Sequence, residues 1–346
     1  ACGVATNLHF DAGLVDYRPG YEVSQIHSPT FGDYARQLAA EWFERYDLRG
    51  KHVVEIGCGP GEFLSLFLEL GVGRATGFDP ACSPSDTGGL RLIDREFSAA
   101  DAELGGDFIF CRHTLEHLHD TGRLLDQIHD YLGPDSGVPV CFEVPDFQRI
   151  LDDCAFWDIY YEHCSYFTAD SLVRLFNRHG FESLDVRLTY ADQYLVLDAR
   201  QAPNRAGSSA PVAGDGLRAL TESAHRFAVQ CAATLENWSA RLADWLSAGQ
   251  TIVLWGSGSK AVGFLTALGR DARISAVVDI NPAKQGMYMP GCRPQIVAPR
   301  ELVTIKPDVI LVMNPIYIDE IRDELTQLGL APELVPLETK GIAAHA

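Results

Sequence analysis

One stretch near residue 55 constrains the fold of this chain more than any other part of its sequence. Residues 53–64 read VVEIGCGPGEFL, and Asp79 follows in the segment ATGFDP. The residues before the glycines are apolar and β-branched, which predicts a buried strand, and EFLSLFLEL has apolar residues at helical spacing. A strand, a glycine turn and a helix form the first unit of a nucleotide-binding α/β sheet.

The glycine turn and the acid after the second strand predict a ligand site. Glycines suit a position where a ligand approaches bare backbone closely, and the Asp79 carboxylate can accept hydrogen bonds from both hydroxyls of a ribose. The spacing is G-x-G-x-G instead of the G-x-G-x-x-G of dinucleotide sites. An α/β domain with a glycine-rich turn and no ligand is the alternative that these residues leave open.

This pattern resembles motif I of class I S-adenosylmethionine-dependent methyltransferases. The resemblance implies S-adenosyl-L-methionine as the cofactor and S-adenosyl-L-homocysteine as its product. It implies that the turn holds the amino-acid end of the cofactor, that Asp79 binds the ribose, and that Glu55 lies near the methionine ammonium through water. The residues assigned to the cofactor are Glu55, Gly57, Cys58, Gly59, Gly61, Asp79 and His113.

Composition and charge narrow the class of protein. The chain has 346 residues, of which 47% are hydrophobic and 22% are charged, as in ordinary globular proteins. No apolar run approaches a membrane span and no signal peptide is visible, so we expect a cytoplasmic protein without a membrane partner. The net charge of −19 argues against nonspecific binding to nucleic acid.

The cysteines and histidines do not form a metal-ligand pattern in the sequence. Nine cysteines are scattered without a CxxC pair, and several lie in apolar runs, which indicates reduced and mostly buried thiols. His113, His117 and His119 share one short stretch beside the predicted cofactor site. We expect no metal site at these histidines.

Changes of pattern along the chain predict its domain organisation. Residues 1–50 form a lead-in with an amphipathic helix near its end, and residues 51–200 alternate strand and helix patterns. Residues 201–216 are rich in Ala, Gly, Ser and Pro and predict a linker. Residues 217–346 predict a long helix and a second unit. The expected fold class is α/β, with a class I methyltransferase Rossmann-like domain followed by a second Rossmann-like domain.

The oligomeric state stays open, because the long helix suits either a dimer or an interdomain strut.

The second glycine turn is the weaker of the two motifs. WGSGSKA contains only Gly256 and Gly258, so a packing role is the default interpretation, and an NAD-dependent enzyme built on this unit is a remote alternative. Lys260 follows at a predicted helix N-terminus. Backbone amides together with an ammonium group form a site suited to phosphate.

The segment FWDIYYEHCSYFT, residues 156–168, concentrates groups that can carry out acid–base chemistry. Tyr160, Glu162 and His163 lie within four residues of one another, after a predicted strand. Such a group can abstract a proton and hold an oxyanion. An aromatic loop that only seals a domain face is the competing interpretation.

Here the resemblance becomes specific, because the chain resembles the C-methyltransferases of deoxysugar biosynthesis, which act on nucleotide-linked 4-ketohexoses. Their Y-H-E-H signature corresponds to residues 160–163, and CRHTLEHL, WGSGSKA, VVDINPAKQGMYMPG and KPDVILVMNP match further segments. The family implies a small zinc-binding domain at the N-terminus, of which Cys2 would be the tail. One cysteine cannot hold zinc, so we expect that this domain is lost or trimmed, or that this branch lacks it.

The resemblance also implies roles for individual residues. His163 would be the general base, with Tyr160 and Glu162 binding or polarising the sugar, whereas Tyr161 replaces a family histidine. The residues assigned to the substrate, a small molecule that is a nucleotide-linked sugar, are Tyr161, Glu116, Lys260, Gly256 and Gly258. An O- or N-methyltransferase acting on a natural-product intermediate, and a non-catalytic cofactor-binding partner protein, remain as alternatives.

Overall fold

The chain forms two compact units in the computed structural model. The structure describes residues 3–15, 24–134, 136–202, 214–269, 273–291 and 294–337. The first unit contains the described residues within 1–21, 33–148 and 161–220, and the second contains those within 22–32, 149–160 and 221–346. Cys2 and most of the predicted linker, residues 203–213, lie outside the described residues.

Strands and helices alternate along most of the chain. The first nine strands and five helices are, in order, β1 Ala5–Thr6, α1 Pro29–Arg45, β2 His52–Ile56, α2 Glu62–Leu70, β3 Arg74–Phe78, β4 Ser85–Thr87, β5 Leu90–Ile93, β6 Phe108–Arg112, α3 Thr121–Leu132, β7 Val140–Pro145, α4 Phe147–Asp152, β8 Ser165–Tyr166, α5 Ala169–Arg178 and β9 Phe181–Thr189. They are followed by β10 Tyr194–Gln201, α6 Gly214–Ser247, β11 Ile252–Trp255, α7 Ser259–Leu268, β12 Ala276–Val278, β13 Ile296–Val297, α8 Leu302–Ile305, β14 Val309–Val312, α9 Ile318–Gln327 and β15 Glu333–Pro336.

The first unit is built on an eight-stranded sheet in the order β4-β5-β3-β2-β6-β7-β10-β9. Strands β5, β3, β2, β6 and β7 run parallel, and β10 and β9 add antiparallel partners at one edge. A separate two-stranded pairing joins β1 to β8. This strand order confirms the predicted class I methyltransferase fold, including its antiparallel end.

Helix α2 shows how the local sequence builds this unit. It begins after Gly61 and ends at Leu70, and the following Gly71 has a left-handed backbone that lets its N–H bond to the carbonyls of Phe67 and Leu68. Its buried face carries Phe63 and Phe67, which join Trp42 of α1 and the two phenylalanines of β6 with ring centroids 5.2–6.0 Å apart. Aromatic pairs at this separation stabilise the contact beyond their buried area.

The second unit has a five-stranded parallel sheet in the order β13-β12-β11-β14-β15. Strands β11, IVLW, and β14, VILV, are buried along their whole length, as strands covered on both faces must be. The predicted second Rossmann-like unit is therefore present. Within the described ranges, no helix combines the length and the apolar character needed to cross a membrane.

Candidate functional site

The strand order places the predicted ligand residues at one edge of the first sheet. The chain begins in the middle at β2, runs outward through β3 and β5, and returns to β6 on the other side of β2. In open α/β sheets, ligands bind at the carboxyl ends of the strands where the order reverses. Glu55, Asp79, His113 and Glu143 all lie at or near such ends.

The glycine turn after β2 is open toward the space where a ligand would lie. Gly57 has φ 75°, and a Cβ added there would collide with the side chain of Thr114. A Cβ on Gly59, with φ 50°, would meet no heavy atom of the described residues within 4 Å. Neighbouring atoms therefore require glycine at position 57, whereas position 59 leaves space for another molecule.

Asp79 is anchored to this turn by its own carboxylate. Its Oδ2 accepts a hydrogen bond from the Gly59 amide at 2.8 Å, and its Oδ1 accepts one from the Ala81 amide at 2.7 Å. Since each carboxylate oxygen has two lone pairs, both retain capacity for a hydroxyl donor. This geometry fits the ribose role that the resemblance implies.

Glu55 is a buried carboxylate that is incompletely satisfied. It is 3% exposed, and its Oε2 receives no hydrogen bond from the part of the chain that the structure describes. Burial raises the pKa of this carboxyl to about 8, against the attraction of Arg112, and the negative charge of Asp79 adds to the rise. A ligand ammonium nearby would favour the charged form, so Glu55 fits the amino end of S-adenosylmethionine.

A buried ionic cluster, which the sequence reasoning missed, lies beside Glu55. Glu143 of β7 is fully buried and accepts from Arg112 Nε at 2.5 Å and from the Tyr34 hydroxyl at 2.7 Å, while His113 Nε2 lies 3.3 Å away. Burial alone would raise the pKa of Glu143, but Arg112 and His113 lower it to about 2. The sequence signal that could have indicated this cluster is the polar residues at the carboxyl ends of the apolar strands β6 and β7.

His113 takes a strained backbone conformation at the end of β6. Its φ is 49°, which is uncommon for a residue with a Cβ, and its ring meets Tyr194 edge-on at 4.4 Å. Burial would lower the pKa of His113, but Glu143 and Glu116 raise it to about 9. The two carboxylates therefore favour the protonated form of the imidazole.

The predicted base, His163, lies next to two residues of the turn after β6. Its ring is 5% exposed and meets His117 edge-on at a centroid distance of 4.8 Å. The Cys164 amide donates to the Glu116 carbonyl at 2.9 Å, and Ser165 Oγ donates to the Leu118 carbonyl at 2.9 Å. These two hydrogen bonds hold the segment that carries His163 against the short 3₁₀ helix Leu115–His117.

Glu116 supplies a negative charge beneath these imidazoles. It is 1% exposed, and neither carboxylate oxygen receives a hydrogen bond from the described residues, although His113 Nδ1 lies 3.5 Å from Oε1. Burial would raise the pKa of Glu116, but the nearby histidines, His113 first, lower it overall. Ligand atoms of Glu116, His117 and His163 lie within 4.8 Å of one another, so this trio could hold a metal ion.

The other predicted catalytic and substrate residues of this segment, residues 160–162, are more exposed. The Tyr161 hydroxyl accepts from the Asp11 amide at 2.8 Å and donates to the His9 carbonyl at 3.2 Å, so it anchors an N-terminal segment. Tyr160 and Glu162 are half-buried. The structure thus brings His163 together with Glu116 and His117, and the substrate roles of residues 160–162 stay predictions.

In the second unit, Lys260 is paired with a buried acid that the sequence did not reveal. Its Nζ lies 2.9 Å from the Asp158 carboxylate, which Arg149 also contacts at 2.5 Å. Gly256 has φ 105°, and Gly258 precedes α7 as its N-cap. The phosphate role of Lys260 and this turn stays a prediction, with the Lys260 charge already partly neutralised by Asp158.

Two protein families match the two halves of the chain. Residues 31–186 match the family described as "Methyltransferase domain", and residues 216–330 match the family described as "C-methyltransferase C-terminal domain". The C-methyltransferase NovU of Streptomyces niveus is 29% identical over an alignment of 309 residues that covers 84% of this chain and 73% of NovU.

Solved methyltransferase structures are similar to about half of the chain. The 1,6-didemethyltoxoflavin-N1-methyltransferase of Burkholderia thailandensis, with bound 1,6-didemethyltoxoflavin and S-adenosylhomocysteine, has a TM-score of 0.38 and 22% identity, covering 50% of this chain and 81% of that one. Magnesium protoporphyrin IX methyltransferase of Synechocystis PCC 6803, with bound S-adenosylhomocysteine, has a TM-score of 0.39 and 12% identity, covering 52% and 89%.

The family matches agree with the fold and with the glycine turn. The first match contains β2, the turn and Asp79, and the second contains β11 and the turn after it. The predicted fold class is confirmed, and S-adenosylmethionine is the cofactor expected of the matched methyltransferase domain.

Proposed function

Because the chain belongs to the S-adenosylmethionine-dependent C-methyltransferases, we propose that it deprotonates and methylates a carbon next to the carbonyl of a nucleotide-linked ketodeoxysugar. The burial of His163 beside the fully buried Glu116 carries this proposal, because it provides a base in surroundings that exclude water. The sugar is inferred from the resemblance of residues 160–163 and of the C-terminal segments to the deoxysugar C-methyltransferases.

Three elements of the first unit would hold the cofactor. The turn at Gly57 and Gly59 leaves space for its amino-acid end, Asp79 has lone pairs for the ribose hydroxyls, and Glu55 offers a carboxylate to the ammonium. When bound, S-adenosylmethionine supplies an electrophilic methyl group.

His163 would perform the proton transfer. Its imidazole takes the proton from the carbon, and the C–H bonding electrons move into an enolate that is stabilised at the carbonyl oxygen. The Glu116 carboxylate stabilises the imidazolium that forms, because opposite charges attract strongly away from water. General-base catalysis of this kind contributes a rate factor of about 10²–10⁴.

Binding and orientation of the sugar fall to the residues after α4. Tyr160 and Glu162 are half-buried next to His163 in the sequence and offer a hydroxyl and a carboxylate to sugar oxygens. Lys260 with the Gly256 and Gly258 turn offers charge and backbone amides to a phosphate.

The decisive experiment separates proton abstraction from methyl transfer. In D₂O, the enzyme and a nucleotide-linked 4-ketohexose should exchange the α-proton, and ¹³C-methyl S-adenosylmethionine should yield a new C–CH₃ signal by NMR. His163→Gln should lower the rates of both reactions by about 10²–10⁴. His119→Ala, which removes an exposed imidazole nearby, is the matched control and should retain both rates.

Two outcomes would contradict the proposal. A methyl group on oxygen or nitrogen would identify an O- or N-methyltransferase instead. Exchange and transfer that persist in His163→Gln would remove His163 as the base.

A further inference from the structure

Two imidazoles and a carboxylate converge beneath the loop that carries His163. The ligand atoms of Glu116, His117 and His163 lie within 4.8 Å of one another. Two of these residues come from the 3₁₀ helix Leu115–His117 and the third from the chain just before β8, and hydrogen bonds of 2.9 Å join the two segments. The three donors are therefore brought together by the fold and not only by sequence proximity.

The Glu116 carboxylate is an independent feature of this cluster, because it is buried and not hydrogen-bonded within the described residues. It is 1% exposed, and no described residue donates a hydrogen bond to either of its oxygens. Buried carboxylates are normally hydrogen-bonded or bound to a cation, because an unpaired buried charge is costly. The His113 Nδ1 atom, 3.5 Å from Oε1, compensates this charge only in part.

The donor set selects the class of metal. Two imidazole nitrogens and one carboxylate oxygen suit Zn²⁺ and similar transition-metal ions, whereas Mg²⁺ and Ca²⁺ prefer oxygen ligands alone. Zinc bonds of about 2.0–2.1 Å place tetrahedral ligand atoms about 3.4 Å apart. Because the three ligand atoms already lie within 4.8 Å of one another, binding would draw them together by about an ångström.

We propose that Glu116, His117 and His163 bind one Zn²⁺ ion and that this ion inhibits methyl transfer. The metal would take the lone pair with which His163 accepts a proton, and sulfonium chemistry needs no metal in its place. The inhibitory part rests on the proposed function, because it requires His163 to be the general base; the binding part does not.

Binding is tested first, with the intact chain and Co²⁺ as a spectroscopic substitute. One equivalent of Co²⁺ should produce visible absorption bands of a nitrogen and oxygen site, and one equivalent of Zn²⁺ should displace it. His117→Ala and Glu116→Gln should weaken Co²⁺ binding by about tenfold or more, and His119→Ala should leave it unchanged. Circular dichroism of each variant checks that it is folded.

Two results would overturn the binding site. The first is Co²⁺ affinity that is unchanged in folded His117→Ala, and the second is a sulfur-to-cobalt charge-transfer band, which would assign the metal to cysteine thiols.

Inhibition is tested next, as the ratio of activities with and without one equivalent of Zn²⁺. The wild-type enzyme should lose most of its methyl transfer, and His117→Ala should retain most of whatever activity it has. Full activity in the Zn²⁺-bound wild type would overturn the inhibitory part while the binding site stands. The separate α-proton exchange experiment then decides whether the assignment of the base has failed.

Discussion

At the residue scale, Glu143 connects three elements of the first unit. It lies in β7, accepts from Arg112 of β6, and accepts from Tyr34 of α1. The Arg112 guanidinium also lies 3.9 Å above the ring of Phe63. Because the carboxylate is fully buried, its charge is tolerated only with these partners in place.

Replacement of this carboxylate by an amide should be strongly destabilising. Glu143→Gln would leave the Arg112 charge buried without its partner, which costs about 3–5 kcal/mol of the free energy of unfolding. Tyr34→Phe removes only one neutral donor to the same carboxylate and should cost about 1–3 kcal/mol. Urea denaturation at pH 7 measures both, and equal costs for the two variants would contradict the ionic role.

The pH dependence of stability follows from the lowered pKa of Glu143. Its folded-state pKa is about 2, against an ordinary value of about 4.5, so its stabilisation is present above pH 4.5 and is lost as the pH falls toward 2. The difference in unfolding free energy between the wild type and Glu143→Gln should therefore narrow over this range. If this difference in unfolding free energy stayed constant between pH 5 and pH 2.5, protonation of Glu143 would not be coupled to stability.

At the element scale, the turn between β2 and α2 separates structural from ligand-related glycines. Gly57 and Gly59 both have left-handed backbones, but only the Cβ of a residue at position 57 would strike Thr114. A side chain in the left-handed region costs roughly 1–2 kcal/mol by itself. At position 57 the collision with Thr114 adds to that cost, whereas at position 59 no neighbouring atom adds to it.

Alanine at these two positions should therefore have different effects. Gly59→Ala should lower the unfolding free energy by only about 1–2 kcal/mol, yet weaken S-adenosylmethionine binding, because the new methyl group projects into the open side of the turn. Gly57→Ala should lower stability by more than this. Urea denaturation measures the unfolding free energy, and titration calorimetry measures the affinity for S-adenosylmethionine. Unchanged cofactor affinity in Gly59→Ala would contradict the proposed cofactor contact.

At the scale of the whole molecule, each unit has its own hydrophobic core. One cluster, around Val54, Ile109 and Phe176, contains residues of the first unit only. Two others, around Phe264 and Val312, contain residues of the second unit only. Separate cores of this kind support separate cooperative unfolding.

We therefore expect two thermal unfolding transitions in scanning calorimetry, one shifted by the cofactor and the other by a substitution in the second unit. S-adenosylmethionine at about 100 times its dissociation constant should stabilise the first unit by about 2.7 kcal/mol. Asp158→Asn should destabilise the second unit by about 3 kcal/mol, because Lys260 and Arg149 lose their shared acid. One transition that shifts as a whole with both changes would show that the units unfold together.

The family assignment depended on features that are local in the chain. The prediction of EFLSLFLEL as a helix matches α2 from end to end, and the antiparallel strands after Gly180 are β9 and β10. Periodicity, turn residues and motif spacing are set by neighbours within a few residues, so they are readable without the fold. The same holds for Asp79, since a carboxylate after the second strand is part of the motif.

Tertiary structure decided which distant charges meet. Glu143 pairs with Arg112 because β6 and β7 are adjacent and parallel, and Lys260 meets Asp158 across 102 residues. Glu116 joins His163 because two loops are hydrogen-bonded together. A sequence pattern records spacing along the chain but not strand order or loop packing. These pairings, and the pKa shifts that they cause, therefore depend on the folded tertiary structure.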